Sequence, residues 1–257
     1  YKTVVATSGR TKPEANLDIK KTINNGTLIT NYIGHGSPYV WAHEGIMKNA
    51  VTIPALTNGD KLTFVIAATC DFGRYDDWQN QSGTELFLLK DGGGAVGVVS
   101  ASRSVYSGDN YEFNREFIVN LFTRGGDSKF YRLGDVMLNV KQFRFNDNDS
   151  KFHLFSDPGL RLNAPDDISE IDSINNIYAQ VSTDTIKLKA LGKANIKGYV
   201  KTSDGLVNSS YNGKVQITVY DAPKLYDFTE GIGRFRFEQP GGIIYSGFST
   251  ISNGRFT

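Results

Sequence analysis

Two residues of the chain, His35 and Cys70, have side chains that could together perform nucleophilic catalysis. An imidazole can take the proton of a thiol, and the resulting thiolate is the nucleophile. Each residue follows an apolar run of strand length: the run 27–33 leads into the segment 34–37 (GHGS), and the run 62–70 ends on the cysteine. Ligands of open α/β sheets bind beyond the carboxyl ends of the strands. We therefore expect both side chains at one crevice.

Main-chain groups next to these residues could stabilise an oxyanion. Gly36 follows the histidine directly, and its N–H is not obstructed by a side chain, so it could donate together with the N–H of Cys70. The same residues also fit a non-catalytic interpretation, with Cys70 as an inert core thiol and His35 as a loop residue. The residues alone leave both interpretations open.

Other patterns lack the context that their chemistry needs. The glycines at 92, 94 and 97 match a dinucleotide fingerprint, but they precede an apolar run instead of following one. His35, His43 and Glu44 do not have the spacing of a zinc site. The segment 146–150 (NDNDS) lacks the glycine and glutamate of a calcium-binding EF-hand, and we interpret it as a solvated turn. We predict no cofactor and no metal.

The composition limits the class of partner. The 28 Lys and Arg residues and 27 Asp and Glu residues give a formal net charge of +1. Proteins that neutralise nucleic-acid phosphates usually carry a basic excess, so we predict no nucleic-acid partner. Cys70 is the only cysteine, which excludes an internal disulfide and a CxxC metal pair.

The elements that would position His35 and Cys70 belong to an α/β fold. The apolar runs 27–33, 62–70 and 94–101 alternate with helical segments, for example 84–90 and 112–123. Such runs are typical of parallel strands that are covered on both faces. We predict an open, mostly parallel sheet flanked by helices in residues 1–165, and we expect it to be incomplete at its N-terminal side.

The pattern changes after about residue 165. Residues 166–257 show strand-like stretches between turn signals, and 214–220 (KVQITVY) alternates cleanly between apolar and polar positions. This spacing predicts an all-β, sandwich-like domain. We expect it to be truncated and the chain to be part of a longer protein.

The segments 31–37 (NYIGHGS), 41–44 (WAHE) and 68–72 (ATCDF) resemble the gingipain-type cysteine peptidases, which have a caspase-like fold. Within that family the resemblance is greatest to the sortases of the type IX secretion system of Bacteroidetes. It extends over nearly the whole chain, with supporting matches at 93–96 (GGAV) and 156–162 (SDPGLRL).

The resemblance implies a role for each candidate residue. Cys70 is the implied nucleophile, His35 the general base and acid, and the N–H groups of Gly36 and Cys70 the oxyanion hole. An acidic residue upstream of the chain would orient His35, and Glu44 is a local substitute or a pocket residue. The substrate pocket would be lined by Trp41, Arg103 and Tyr106.

The resemblance also implies a substrate and a location. Such enzymes remove the C-terminal signal domain of secreted cargo through a cysteine thioester and transfer the cargo to lipopolysaccharide. This implies protein substrates, a lipopolysaccharide acceptor, outer-membrane secretion-complex partners, and a position on the extracellular face of the outer membrane. We expect the isolated fragment to be inactive.

Two alternatives come from other classes of protein. The first is an enzyme-dead caspase-like scaffold that docks partners of an outer-membrane secretion complex. The second is a surface adhesin that binds through the β domain.

Overall fold

The computed structural model describes residues 3–6, 9–179, 186–189, 192–230 and 233–257. It divides into two compact units, residues 1–164 and residues 165–257. No helix in the described part of the chain combines the length and the apolar character that crossing a membrane requires.

Five helices lie in the described part of the first unit. They are α1 (Pro13–Asn25), α2 (Gly83–Leu88), α3 (Ser107–Leu121), α4 (Leu133–Phe143) and the short α5 (Asp147–Ser150). Its strands are β1 (Val4–Ala6), β2 (Gly9–Thr11), β3 (Ile29–Ile33), β4 (Gly36–Ser37), β5 (Val40–Trp41), β6 (Met47–Lys48), β7 (Thr63–Ala68), β8 (Ala95–Ala101) and β9 (Phe152–Phe155).

The central sheet has the strand order β3-β7-β8-β9. The first three strands are parallel, and β9 runs antiparallel to β8. Parallel strands need a crossover connection, and α2 supplies it between β7 and β8. A second, three-stranded sheet has the order β4-β5-β6 and follows β3 directly in the chain.

Both faces of the central sheet are covered. All six residues of β7 are buried. Alternate residues of β7 enter different core clusters because successive side chains of a strand point to opposite faces. Phe64 and Ile66 pack with residues of α3 and α4, while Val65 and Ala67 pack with residues of α1 and α2. This arrangement confirms the predicted α/β fold with a mostly parallel sheet between helices.

The helix α3 is anchored to the sheet by aromatic stacking. Phe113 stacks on Phe152 of β9, with ring centroids 4.0 Å apart, and Phe117 stacks on Phe64 of β7. The sequence predicted a helix over 112–123, and the observed helix begins five residues earlier, at Ser107. That earlier start matters for the site, because it brings Asn110 into the helix.

The second unit is built from antiparallel sheets. Its strands are β10 (Ile168–Ile174), β11 (Ile177–Tyr178), β12 (Ile196–Lys201), β13 (Gly213–Tyr220), β14 (Lys224–Glu230), β15 (Gly233–Gln239), β16 (Ile243–Ile251) and β17 (Arg255–Phe256). One sheet has the order β11-β10-β12-β17, and two two-stranded ribbons pair β13 with β16 and β14 with β15. A small core of Val200, Ile251 and Phe256 receives Val215 and Ile217 from β13.

Candidate active site

The histidine and the cysteine extend from neighbouring strands at matched positions. In the parallel register of β3 and β7, Ile33 pairs with Ala68. His35 and Cys70 each lie two residues beyond that pair. The carboxyl ends of both strands meet at the same edge of the sheet, so the two residues share that edge. His35 is exposed and Cys70 is partly buried.

Gly36 lies against the residue that precedes the cysteine. A Cβ added at Gly36 would be 2.4 Å from Thr69 Oγ1 and 3.0 Å from the carbonyl oxygen of Val40. A side chain at this position would have to displace its neighbours, so the close approach favours glycine here. The close approach also brings the Gly36 main chain next to the segment that carries Cys70.

The N–H groups of Gly36 and Cys70 are both available as donors. Ala42 N–H donates to His35 O at 2.8 Å. Hydrogen-bonded and non-hydrogen-bonded pairs alternate along an antiparallel ladder, so the Gly36–Trp41 pair is non-hydrogen-bonded and the Gly36 N–H points away from β5. Within the described residues, the Cys70 N–H donates to no other group. Two main-chain donors therefore flank the same edge, as an oxyanion would require.

Main-chain groups of Val105 hold the cysteine sulfur. The Val105 N–H donates to Cys70 Sγ at 3.4 Å, and the thiol donates to Val105 O at 3.5 Å. The neighbouring Asp71 N–H donates to Arg103 O at 3.3 Å. The loop after β8 therefore lies directly beside the sulfur. His35 and Cys70 are both described by the structure, and no hydrogen bond joins the Cys70 thiol to the His35 imidazole.

The main chain of His35 is fixed by a tyrosine. Tyr32 Oη donates to His35 O at 2.6 Å, and the Tyr32 ring stacks on buried Trp41, with centroids 4.7 Å apart and planes 3° from parallel. Burial raises the pKa of the Tyr32 phenol, and the nearby Glu44 carboxylate raises it further. The hydroxyl consequently keeps its proton and remains a donor at neutral pH.

The ring of His35 lies over a second imidazole. It stacks on the His43 ring at a centroid distance of 5.6 Å, with the planes 8° from parallel. The arrangement orients the His35 ring without using a hydrogen bond.

Residues 1–163 match the profile of peptidase family C25. The chain belongs to peptidase family C25. The matched part contains both candidate catalytic residues and the whole central sheet. This match confirms the resemblance to gingipain-type peptidases that the sequence showed. In broad terms, the family's activity is that of a cysteine peptidase.

Three solved structures are similar to this C25 chain. It is similar to the Arg-specific cysteine proteinase gingipain R (RgpB), with a TM-score of 0.50 and 18% identity over 94% of this chain and 48% of that one. It is also similar to dimeric latent PorU from Porphyromonas gingivalis, with a TM-score of 0.38 and 24% identity over 63% and 16% of the two chains. A third similar structure is the complex of Porphyromonas gingivalis RgpB pro- and mature domains, with a TM-score of 0.49 and 16% identity over 94% and 49%.

The chain spans about half the length of the gingipain R structure. At this identity the likeness shows the fold alone. A search of curated proteins found no match to the sequence.

Two residues expected near the site in this C25 chain have other surroundings. Trp41 was predicted to line the pocket, but it is only 1% exposed and packs between Tyr32 and Phe72. That prediction is corrected: the indole lies in the core and contacts the histidine loop through its stacking on Tyr32. Glu44 was predicted to orient His35 or line the pocket. Both residues are described by the structure, and the Glu44 carboxylate makes no hydrogen bond or ion pair with the His35 imidazole. The carboxylate instead raises the pKa of Tyr32.

Arg103 and Tyr106 lie in the loop beside Cys70, and both are exposed. The guanidinium of Arg103 binds both carboxylate oxygens of Asp76, with Nη1 3.0 Å from Oδ1. This hydrogen-bonded pairing lowers the pKa of Asp76. The loop beside Cys70 therefore carries an exposed ion pair, and the role of Arg103 and Tyr106 as pocket residues stays a prediction.

Within the described residues, no group of three or more His, Cys, Asp or Glu side chains could hold a metal ion. The segment 146–150 differs from its interpretation as a solvated turn. It forms the short helix α5 with Asn146 as its cap, and Asn148 and Asp149 are buried. The Asp149 carboxylate pairs with Arg144 at 2.8 Å.

The sequence interpretation missed three contributors to this site: Val105, Asn110 and Asn148. Val105 acts through its main chain, which every residue type shares, so no side-chain signal marks it. The asparagine at 146, three residues before an acidic position, is a helix N-cap signal that could have predicted α5.

Proposed function

We propose that the protein is a sortase-like cysteine endopeptidase of family C25 that removes the C-terminal signal domain of type IX secretion cargo. Cys70 is the nucleophile, and His35 is its general base and acid. The cargo is then transferred from the enzyme to lipopolysaccharide at the extracellular face of the outer membrane. The observation that carries the proposal is the strand register, which puts His35 and Cys70 at matched positions on one sheet edge.

The reaction begins when the His35 imidazole takes the thiol proton. The Cys70 sulfur attacks the carbonyl carbon of the scissile peptide, and the carbonyl oxygen becomes an oxyanion that accepts from the Gly36 and Cys70 N–H groups. The intermediate collapses to a thioester. The amine of the signal domain leaves with the proton held by His35.

An acceptor then resolves the thioester. An amine of the lipopolysaccharide loses a proton to His35 and attacks the thioester carbon, which restores the Cys70 thiol and forms a new amide. Water in the same role gives simple hydrolysis. The fate of the cargo is thus decided by which nucleophile reaches the crevice first.

Motif resemblance supports the sortase assignment within the family. The segments 31–37 and 68–72, which contain His35 and Cys70, are the most specific parts of that resemblance. The partners that follow from it are cargo signal domains, lipopolysaccharide and proteins of an outer-membrane secretion complex.

The experiment compares the variants Cys70→Ala and His35→Ala in the complete protein. A cargo protein that carries its C-terminal signal domain is followed by mass and by attachment to lipopolysaccharide. We expect unprocessed, unattached cargo in both variants. Normal processing without Cys70 would overturn the proposal.

A non-catalytic scaffold is the second candidate, and one observation favours it. In the described part of the chain no hydrogen bond joins His35 to Cys70, and the imidazole stacks on His43 instead. A scaffold would keep its secretion partners bound in both variants while cargo processing continued. An enzyme would keep those partners and stop processing.

A further inference from the structure

A pair of buried asparagines lies behind the cysteine. Asn110 in α3 is 3% exposed and Asn148 in α5 is 5% exposed. Asn148 Nδ2 donates to Asn110 Oδ1 at 3.3 Å, and Asn110 Nδ2 donates to the carbonyl oxygen of Ala68 at 3.4 Å. The Ala68 carbonyl is at the end of β7, two residues before Cys70.

The other end of this pair holds the loop that contacts the sulfur. The Tyr106 N–H donates to Asn148 Oδ1 at 2.8 Å. Tyr106 directly follows Val105, whose N–H and carbonyl bracket Cys70 Sγ. The two amides therefore connect the strand that carries the thiol with the loop that binds it, in one unbroken series of three hydrogen bonds.

The connection has a chemical consequence for the sulfur. A thiolate has no proton to donate, so the contact with Val105 O serves only the neutral thiol, whereas the Val105 N–H can donate to the charged form. A donor to the charged form favours ionisation. If the loop moved away from β7, the thiolate would lose this donor.

We propose that Asn110 and Asn148 form a positioning relay for Cys70, which fixes the Val105 N–H against the sulfur and so favours the thiolate. Neither amide contacts the sulfur, so both are positioning residues. The inference rests on the proposed function only in treating Cys70 as the nucleophile. The ionisation of the thiol can be measured without any substrate.

The test is the rate of Cys70 alkylation by iodoacetamide as a function of pH, in the complete protein. In the chain described here Cys70 is the only cysteine, and peptide mapping assigns the modification. The variant is Asn110→Leu, and its matched control is Asn114→Leu. Asn114 lies one turn further along α3, is 4% exposed, and its Oδ1 has no hydrogen-bond partner among the described atoms.

We expect Asn110→Leu to alkylate about tenfold more slowly than the wild type near pH 7, because the thiolate loses the Val105 N–H donor. The ratio of the two rates should decrease as the pH rises, because deprotonation approaches completion in both proteins. Asn114→Leu should follow the wild-type profile. Coincident profiles for Asn110→Leu and Asn114→Leu would overturn the relay, as would a rate increase at every pH, which indicates simple loosening.

Hydrogen exchange in the wild type keeps the inference testable if Asn110→Leu does not fold. The Tyr106 side chain is 73% exposed, yet its N–H should exchange at least a hundredfold more slowly than in an unstructured peptide. Exchange at the unprotected rate would overturn the proposal. Cargo processing that persists in Cys70→Ala would refute the proposed function alone, because the alkylation profile still reports on the relay.

Discussion

Adding one methyl group at Gly36 should disable the site without touching the nucleophile or the base. In Gly36→Ala the new Cβ would be 2.4 Å from Thr69 Oγ1, 3.0 Å from Val40 O and 3.2 Å from Thr69 Cγ2. Ordinary contacts between such atoms begin near ~3.4 Å, so the histidine loop and the cysteine segment must separate by about 1 Å.

That displacement has two measurable effects. Overpacking of this kind costs about 1–3 kcal/mol of stability. Misplacement of reacting groups by about 1 Å can cost ~10² in rate, and loss of one oxyanion donor costs ~10²–10³. Because the displaced group is the proposed oxyanion donor, we expect kcat/KM for cleavage of the proposed cargo to fall by about 10²–10³. The fold should be retained.

A second substitution tests whether Thr69 is the cause. Thr69→Ala removes both of the Thr69 atoms that the new Cβ would meet, and Thr69 Oγ1 has no hydrogen-bond partner in the described structure. Thr69→Ala alone should therefore cost only about 1 kcal/mol in packing. The double variant should recover at least tenfold of the lost rate, but not all of it, because the Val40 carbonyl remains close.

The assay is cleavage of a peptide that spans the signal-domain junction, with the melting temperature of all four proteins measured in parallel. A non-zero coupling free energy between the two positions is expected. Wild-type kcat/KM in Gly36→Ala would refute the steric argument. A double variant no faster than Gly36→Ala would show that Thr69 is not the obstacle.

Three further predictions follow from contacts described above or from neighbouring ones. Tyr32→Phe removes the donor to His35 O, and we expect ~10-fold lower kcat with little change in KM, since the hydroxyl touches no substrate. Burial lowers the pKa of His153, so the folded state binds its proton less readily than the unfolded chain. The free energy of unfolding should therefore be unaffected by this group above about pH 6.5 and should decrease as the pH falls below that value. In His153→Phe, melting temperatures measured between pH 7.5 and 5.5 should no longer show this decrease. An unchanged decrease would mean that another group causes it. Asn58 is 4% exposed, and its side-chain amide donates to the carbonyl of Gly94 and accepts from the Gly94 N–H. Asn58→Ala should therefore lower the free energy of unfolding, measured in urea, by about 2–4 kcal/mol.

The layers of the fold were predictable from the sequence because burial leaves a compositional trace. The runs at 62–70 and 94–101 became β7 and β8, and their uninterrupted apolar character reflects coverage on both faces. The histidine and the cysteine could be placed at strand ends for the same reason. Their matched register could not be read from the sequence, because it is set by which strands pair.

Two residues that the family resemblance placed at the site have other surroundings in the structure. The resemblance implied that Glu44 orients His35 or lines the pocket and that Trp41 lines the pocket. The hairpin of β4 and β5 turns the Trp41 indole into the core, while the neighbouring imidazole of His43 occupies the face of His35. Residues a few positions apart in a hairpin diverge in direction, and only the pairing decides which of them meet.

The relay residues were hidden for a different reason. Asn110 and Asn148 come from two helices far apart in the chain, and each meets a main-chain group that has no side-chain signature. In the second unit, the alternation of 214–220 identified β13 but not its partner β16, which follows the intervening β14–β15 ribbon. Long-range partners of this kind carry no local signal.

The long-range pairing of the central sheet also determines at which stage of folding the site forms. Ile29 pairs with Phe64, Thr63 with Ala95, and Val98 with Phe155, so each of these contacts closes a long loop of chain. Closing such loops is entropically costly, and folds dominated by non-local pairing form slowly. The proposed nucleophile, base and oxyanion donors come together only when β3 and β7 are paired. During refolding, peptidase activity should therefore return in a single slow phase with the rate constant of sheet formation, after helical signal has already recovered.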